Sequence, residues 1–229
     1  MVIIIILLVE DILYPFDHSR WVRQPRQARS QQSLQQLLDA AEKQLLANGA
    51  EALTLQAVAS SAGLTVGAIY RRFDSRDSLL HALHERFAER VAQMLTTLAE
   101  TAEEQSLSAA EIIRLMARQA WGFARSNQGF MRISHLCARD DARFHEREAE
   151  LRDFAFQVIR TLLEKRAGEF GHPDPDTAVR FLIEQSMAAS LFRFEVAAVS
   201  SAMLDEEVFI RELERSCLSY LGVPTGRQA

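Results

Sequence analysis

Tyr70, Arg71 and Arg72 follow directly on a run of small residues, Thr65, Val66, Gly67 and Ala68. A phenol and two guanidiniums are donors suited to phosphate oxygens, and small side chains let one surface approach another closely. Thr54, at an exposed helix start, can add a hydroxyl and free amides, and Arg76 one more guanidinium. The chemistry this points to is recognition of a polyanion. Bond-breaking chemistry is not expected, because the chain has no Gly-rich phosphate loop, nucleophile elbow or metalloprotease motif. His135 with Asp140 or Glu148 makes an acid–base set on paper, but no spacing singles it out.

Metal chemistry is equally unexpected, and no cofactor is implied. His81 and His84 stand three apart with Glu85 beside them, yet no third ligand matches, so they are expected to be exposed surface histidines. His135, Cys137 and His145, near Asp140 and Asp141, are expected to line a pocket or lie on the surface. Cys137 and Cys217 are the only cysteines and suit a reducing cytoplasm better than a disulfide framework.

Charge supports the polyanion reading once it is resolved along the chain. The 229 residues carry a net charge of -5. From Arg20 to Arg76, however, eight basic residues stand against four acidic ones, whereas residues 77–229 sum to -6.

The elements that must position these residues are helical. Ser33-Leu34-Gln35-Gln36 fits a capping box, after which Leu34, Leu37, Leu38, Ala41, Leu45 and Leu46 recur at helical spacing up to Asn48-Gly49. Thr54 caps a short second helix with Leu55, Val58 and Ala59 on its apolar face, and Ala62-Gly63-Leu64 breaks it. Thr65 caps a third helix of about two turns that ends at Phe73. Asp74-Ser75 opens a fourth that carries Leu79, Leu80, Leu83, Phe87, Val91, Met94 and Leu98 to about Glu100. Two short helices joined by a Gly-containing turn make a helix-turn-helix, whose second helix enters the DNA major groove with its N-terminal residues toward base edges. Leu55, Val58, Ile69, Phe73, Leu79 and Leu80 then read as core, and Thr54, Thr65, Val66, Gly67, Ala68, Tyr70, Arg71, Arg72 and Arg76 as the DNA-facing set.

The stretch from Thr54 through Ala62-Gly63-Leu64-Thr65 and Gly67-Ala68-Ile69-Tyr70 to Phe73 and Leu79-Leu80 resembles the DNA-binding domain of TetR-family transcriptional regulators. The detailed match covers roughly residues 33–90. Many relatives have Lys or Pro where this chain has Val66, and His where it has Arg72. Val66 offers thymine a methyl contact rather than a hydrogen bond.

Beyond the fourth helix everything legible is helical: about 109–125 behind the capping box Ser108–Glu111, then about 128–138, 144–169, 176–199 and 205–221. The resemblance implies two tasks for these helices. The last two are expected to pack against their copies in a twofold homodimer through Phe181, Ala188, Ala189, Phe192, Val196, Phe209, Leu213, Cys217 and Tyr220, and the dimer implies a pseudo-palindromic operator. The middle helices are expected to enclose a small-molecule inducer of unknown identity, with Trp121, Phe123, Phe130, Met131, His135, Phe154 and Met187 as candidates. Arg125, Arg132 or His135 would orient a polar group on that ligand.

The start, MVIIIILLVEDILYPF, holds too short an apolar run to span a bilayer and lacks the basic region and cleavage site of a signal peptide, so no membrane partner is expected. Two readings of Arg20, Arg23, Arg26 and Arg29 stay open: an arm on neighbouring phosphates, or a solvated, disordered tail. The expected organisation is all-α: an N-terminal extension and basic arm, disordered in part, over residues 1–30; a three-helix DNA-binding domain over 31–77; and a helical ligand-binding and dimerisation domain over 78–229. The expected function is that of a cytoplasmic, ligand-responsive DNA-binding regulator, a repressor released from double-stranded operator DNA by an inducer. The alternative is an all-helical small-molecule-binding or interaction protein whose helix-turn-helix is only structural; it would bind no DNA even at low salt.

Overall fold

The computed structural model describes residues 16–23, 28–127, 130–131, 141–196 and 203–223. Among them regular structure is helical throughout, in the order α1 (Ala28–Asn48), α2 (Leu55–Ser61), α3 (Val66–Tyr70), α4 (Arg76–Glu104), α5 (Ala109–Ser126), α6 (Ala142–Glu164), α7 (Pro175–Val196) and α8 (Glu206–Leu221). Single 3-10 turns lie at His18–Trp21 and Ala167–Glu169. The all-α expectation holds for these residues.

The chain forms two compact units. Among the described residues, one contains those from 16 to 91 and from 130 to 149, the other those from 92 to 127 and from 150 to 223. The helix-turn-helix belongs to the first. Leu37, Leu38, Ala41 and Leu45 of α1 are buried with Leu53, Leu55, Val58, Ile69, Phe73, Leu79 and Leu83. Each large aliphatic or aromatic side chain so buried contributes about 1.5–3 kcal/mol.

Several boundaries differ from expectation for local reasons. Helix α1 starts at Ala28, so Ser33 lies inside the helix and its capping box marks no N-terminus. The Arg, Ser and Gln residues before Leu34 continue a helix without a breaker. Helix α3 closes at Tyr70; Arg72 and Phe73 follow as a tight turn with both amides on the Ile69 carbonyl. Helix α4 is capped by Ser75, whose hydroxyl accepts from the Ser78 amide at 3.1 Å while the Ser78 hydroxyl accepts from the Ser75 amide. It continues to Glu104 rather than stopping near Glu100. Helix α7 is capped by the Asp174 carboxylate, two residues earlier than expected. The expected helix near 128–138 and the stretch 197–199 fall largely or wholly outside the described residues.

In the second unit α5 opens on the expected capping box, Ser108 with Glu111. Arg166 holds the turn before it, donating to the carbonyls of Leu107 and Ala102 and pairing with Glu103. Helices α5, α7 and α8 pack on one another. Helix α8 ends at Gly222, whose φ of 66° and backbone contact with Gly171 leave no room for a side chain.

Candidate nucleic-acid interface

The α2–turn–α3 segment is built by two threonines and one glycine. Thr54 accepts from the Ala57 amide and Thr65 from the Ala68 amide, each at 3.2 Å, so both short helices have satisfied N-termini. Gly63 turns the chain between them at φ 66°, and the Leu64 amide reaches back to the Ala59 carbonyl at 2.9 Å. Ile69 and Phe73 are fully buried and fix the inner side of α3.

Its outer side presents Thr65, Val66, Gly67, Tyr70 and Arg71 together, all exposed, with Ala68 and Arg72 half-buried beside them. An exposed valine next to an exposed tyrosine on a five-residue helix leaves an apolar contact unfilled. The Tyr70 hydroxyl accepts from the Gln56 side-chain amide at 3.2 Å, which leaves its own proton for an outside acceptor. Nothing in the sequence singled out Gln56; its position two residues after the Thr54 cap is the only hint.

Arg72 and Arg76 are placed differently from Arg71. Arg72 Nη1 donates to the Arg23 carbonyl at 3.1 Å, and its own carbonyl accepts from the Arg23 amide at 3.0 Å. Arg76 donates from Nη2 to the Ala50 carbonyl at 2.6 Å and from Nε to the Leu53 carbonyl at 3.1 Å, bracing the turn before α2. Of the arm, Arg20 and Arg23 are exposed and Arg23 pairs with Asp74; Arg26 lies outside the described residues, and Arg29 lies in α1.

Behind α3, three polar contacts hold α4 to α6. His81 and His84 are buried, not exposed as expected. His84 Nε2 lies 2.8 Å from Glu148 and His81 Nε2 lies 2.9 Å from Asp141. Glu85 makes a buried pair with Arg147. The single apolar stripe of α4 concealed this: α1 holds the helix through Asp39 and Glu42 on Arg86 and Arg90, and α6 covers the side that the stripe leaves polar. Burial pushes the His81 imidazole down despite the opposing Asp141 charge, so the close His81–Asp141 contact is a neutral N–H donating to a carboxylate, not an ion pair at neutral pH. Asp17, His18 and Glu89 gather one ligand-type atom each within 4.8 Å of one another, but hydrogen bonds among themselves and to Ser19 account for the cluster without an ion.

The small-molecule candidates divide between the units. Phe130 is buried and stacks on Phe87 at 4.7 Å in the first unit, with Met131 half-buried there. Trp121 and Phe154 are buried in the other unit, Phe123 is half-buried and Met187 exposed. The Arg193 guanidinium lies over both Trp121, at 5.5 Å, and Phe209, at 4.7 Å. Arg125 is exposed and pairs with Glu206. Arg132, His135 and Cys137 lie outside the described residues; His145 is exposed on α6.

Of the dimer candidates, Phe181, Ala188, Phe192 and Tyr220 are exposed, and the rings of Phe181 and Tyr220 meet at 5.1 Å across α7 and α8. Ala189, Phe209 and Leu213 are half-buried. Cys217 is buried in the protomer, 3.8 Å from the Ser186 hydroxyl; of Val196 only the backbone is described.

A capped helix pair with a left-handed glycine at its turn, carried on a three-helix core, is the DNA-binding helix-turn-helix class. Residues 37–83 match the profile of bacterial regulatory proteins, tetR family. The likeness to the tetR family rests on this domain. A curated relative, nucleoid occlusion factor SlmA of Actinobacillus pleuropneumoniae, is 27% identical over 156 residues, which is 65% of this chain and 74% of the relative. Among solved structures, a TetR-family transcriptional regulator from Mesorhizobium loti superposes with a TM-score of 0.68 at 14% identity, over 86% of this chain and 98% of its own. The regulator FadR of Bacillus subtilis, solved with stearoyl-CoA, superposes with a TM-score of 0.65 at 17% identity, over 82% and 98%. At these identities the structural likeness defines the fold.

Proposed function

We propose that this chain is a homodimeric, ligand-responsive transcriptional regulator, a repressor that leaves a pseudo-palindromic operator when a small molecule binds. The observation that carries the DNA-binding reading is the outer side of α3, where Thr65, Val66, Gly67, Tyr70 and Arg71 are exposed together on a rigid core. In this reading Val66 and Ala68 meet base edges and thymine methyls. Thr54, Thr65, Tyr70, Arg71 and Arg72 hold phosphates, and Gly67 permits the approach. Arg76 serves the same surface from behind by fixing the turn that carries Thr54.

The dimer would form through the exposed apolar face of α7 and α8, where Phe192 is 57% and Phe181 47% exposed. A ligand with an apolar chain fits the aromatic character of Trp121, Phe123 and Phe154, and the stearoyl-CoA of the FadR neighbour supports starting with acyl compounds. Inducer action requires tighter ligand binding to the state that cannot bridge both half-sites. No helix among the described residues is long and apolar enough to cross a membrane, which suits a cytoplasmic regulator.

Selection of bound sequences from random duplex DNA tests this reading. It should yield a pseudo-palindrome with half-site centres about 34–36 Å apart. The SlmA relatives favour a second reading, a DNA-binding nucleoid occlusion factor. Chromosome-wide occupancy separates the two: one or a few promoter sites for a repressor, many dispersed sites for an occlusion factor.

A further inference from the structure

We infer that residues Phe16 to Arg23 form a strap that positions the C-terminal end of α3, and so sets how well that helix reads DNA. The role rests on the DNA-binding reading above. Helix α3 has only five residues, too few to hold itself in place by its own hydrogen bonds. Ile69 and Phe73 anchor its inner side, but its outgoing end is held from outside. The Arg23 amide donates to the Arg72 carbonyl at 3.0 Å and the Arg72 guanidinium donates to the Arg23 carbonyl at 3.1 Å, a two-point latch next to the Arg23–Asp74 ion pair.

The other end of the strap is fixed just as firmly. Phe16 is buried with the Arg147 guanidinium 5.1 Å above its ring. The Asp17 amide donates to Glu85 at 3.1 Å, and the His18 amide donates to Glu89 at 2.8 Å. Trp21 lies flat on His81, with centroids 4.0 Å apart and planes 12° apart, and its indole N–H points at Glu85 from 3.5 Å. Val22 is buried next to the latch. Glu85 therefore holds the strap while itself paired to Arg147, and the strap holds Arg72. A chain anchored at one end by the buried Phe16 and Glu85 and held at the other by the Arg23–Arg72 latch is a strut. It ties the end of the recognition helix to the polar contacts between α4 and α6. Base contacts tolerate only a few tenths of an ångström before their hydrogen bonds weaken, so slack in the strap is read as lost selectivity.

The test uses the full chain and two strap variants. Trp21→Ala removes the stack and the indole donor while leaving the helix-turn-helix and Arg72 intact. Arg23→Pro deletes the N–H that the Arg72 carbonyl accepts, whereas Arg23→Ala keeps it. Hydrogen exchange of amides 66–73, measured without DNA, should quicken about tenfold or more in Trp21→Ala and Arg23→Pro and keep its protection in Arg23→Ala. In titrations, the first two should lose about tenfold in operator affinity, the scale of one good base contact, while keeping the salt slope and the affinity for non-operator DNA. Unchanged exchange in both variants overturns the strap. Faster exchange with an unchanged ratio of operator to non-operator affinity overturns its positioning role. If the wild type binds no DNA at low salt, the DNA reading and the positioning role fail together, in the control and not in the exchange data.

Discussion

Glu85 and Arg147 meet as a buried bidentate pair, with Nε 2.5 Å from Oε1 and Nη2 2.7 Å from Oε2. Attraction in such a pair roughly offsets the cost of stripping water from two charges, whereas leaving one charge alone is expensive, about 3–5 kcal/mol. Glu85→Leu and Arg147→Met should each lower the unfolding free energy by that order. The double variant should be more stable than either single one. Denaturant titration of the four proteins checks this, and strictly additive losses would contradict it.

Two histidines of the first unit should give stability opposite dependences on pH. The hydrogen bond to Glu89 raises the His18 pKa, helped by Asp17 and opposed by burial and Arg86. Its contribution is therefore full below about pH 6.5, the unfolded value, and is lost as pH rises through the higher folded value. Burial lowers His81, with Asp141 opposing and His84 and Arg143 assisting. Its contribution is present above about pH 6.5 and is lost as pH falls through the depressed folded value. Thermal midpoints from pH 5 to 9 should show His18→Gln flattening the alkaline limb and His81→Gln the acid limb. The reverse assignment would refute the geometry of one or both contacts.

The guanidiniums near α3 should separate in a salt titration. Arg71 is exposed, and Arg71→Ala should flatten the log–log slope by about 0.9 for each phosphate released. Arg76 spends two nitrogens on the Ala50 and Leu53 carbonyls. Arg76→Ala should leave the slope unchanged and lower the thermal midpoint by about 2–4 °C for each kcal/mol lost. A flattened slope in Arg76→Ala would return that residue to the phosphate-contacting set.

Gln56 and Tyr70 should act as one unit. The amide of Gln56 occupies an acceptor position on the Tyr70 hydroxyl and turns its proton outward. Gln56→Ala and Tyr70→Phe should weaken operator binding by similar factors, and the double variant by little more than either. A fully additive double variant would mean that the two residues act independently.

The exposed apolar face of α7 and α8 predicts the oligomeric state. Phe192→Glu should shift the proposed dimer toward monomer in sedimentation equilibrium without unfolding it, because Phe192 is 57% exposed in the protomer. A variant that remains fully dimeric would place the interface elsewhere.

The helix-turn-helix was legible because local chemistry decides it: Thr54 and Thr65 cap, Gly63 turns, and Leu55, Val58, Ile69 and Phe73 alternate inward at helical spacing. What the sequence concealed depends on partners far along the chain. Nothing near Arg76 in the sequence announces its bonds to the Ala50 and Leu53 carbonyls, and nothing near Arg72 its bond to the Arg23 carbonyl. His81 and His84 look like surface residues because their acidic partners, Asp141 and Glu148, lie more than fifty residues away. Periodicity reports one apolar stripe per helix, so the polar contacts that bury the rest of α4 leave no signal.

The central claim is that the outer side of α3 binds duplex DNA, and the most direct measurement is an anisotropy titration of the full chain on the sequence chosen by selection, at two salt concentrations, beside Ala68→Asp. The wild type should bind with a steep salt dependence, and Ala68→Asp, which places a carboxylate where phosphates and base edges approach, should not bind at all while remaining folded. Equal binding by the two proteins, or none by a folded wild type at low salt, would contradict the account.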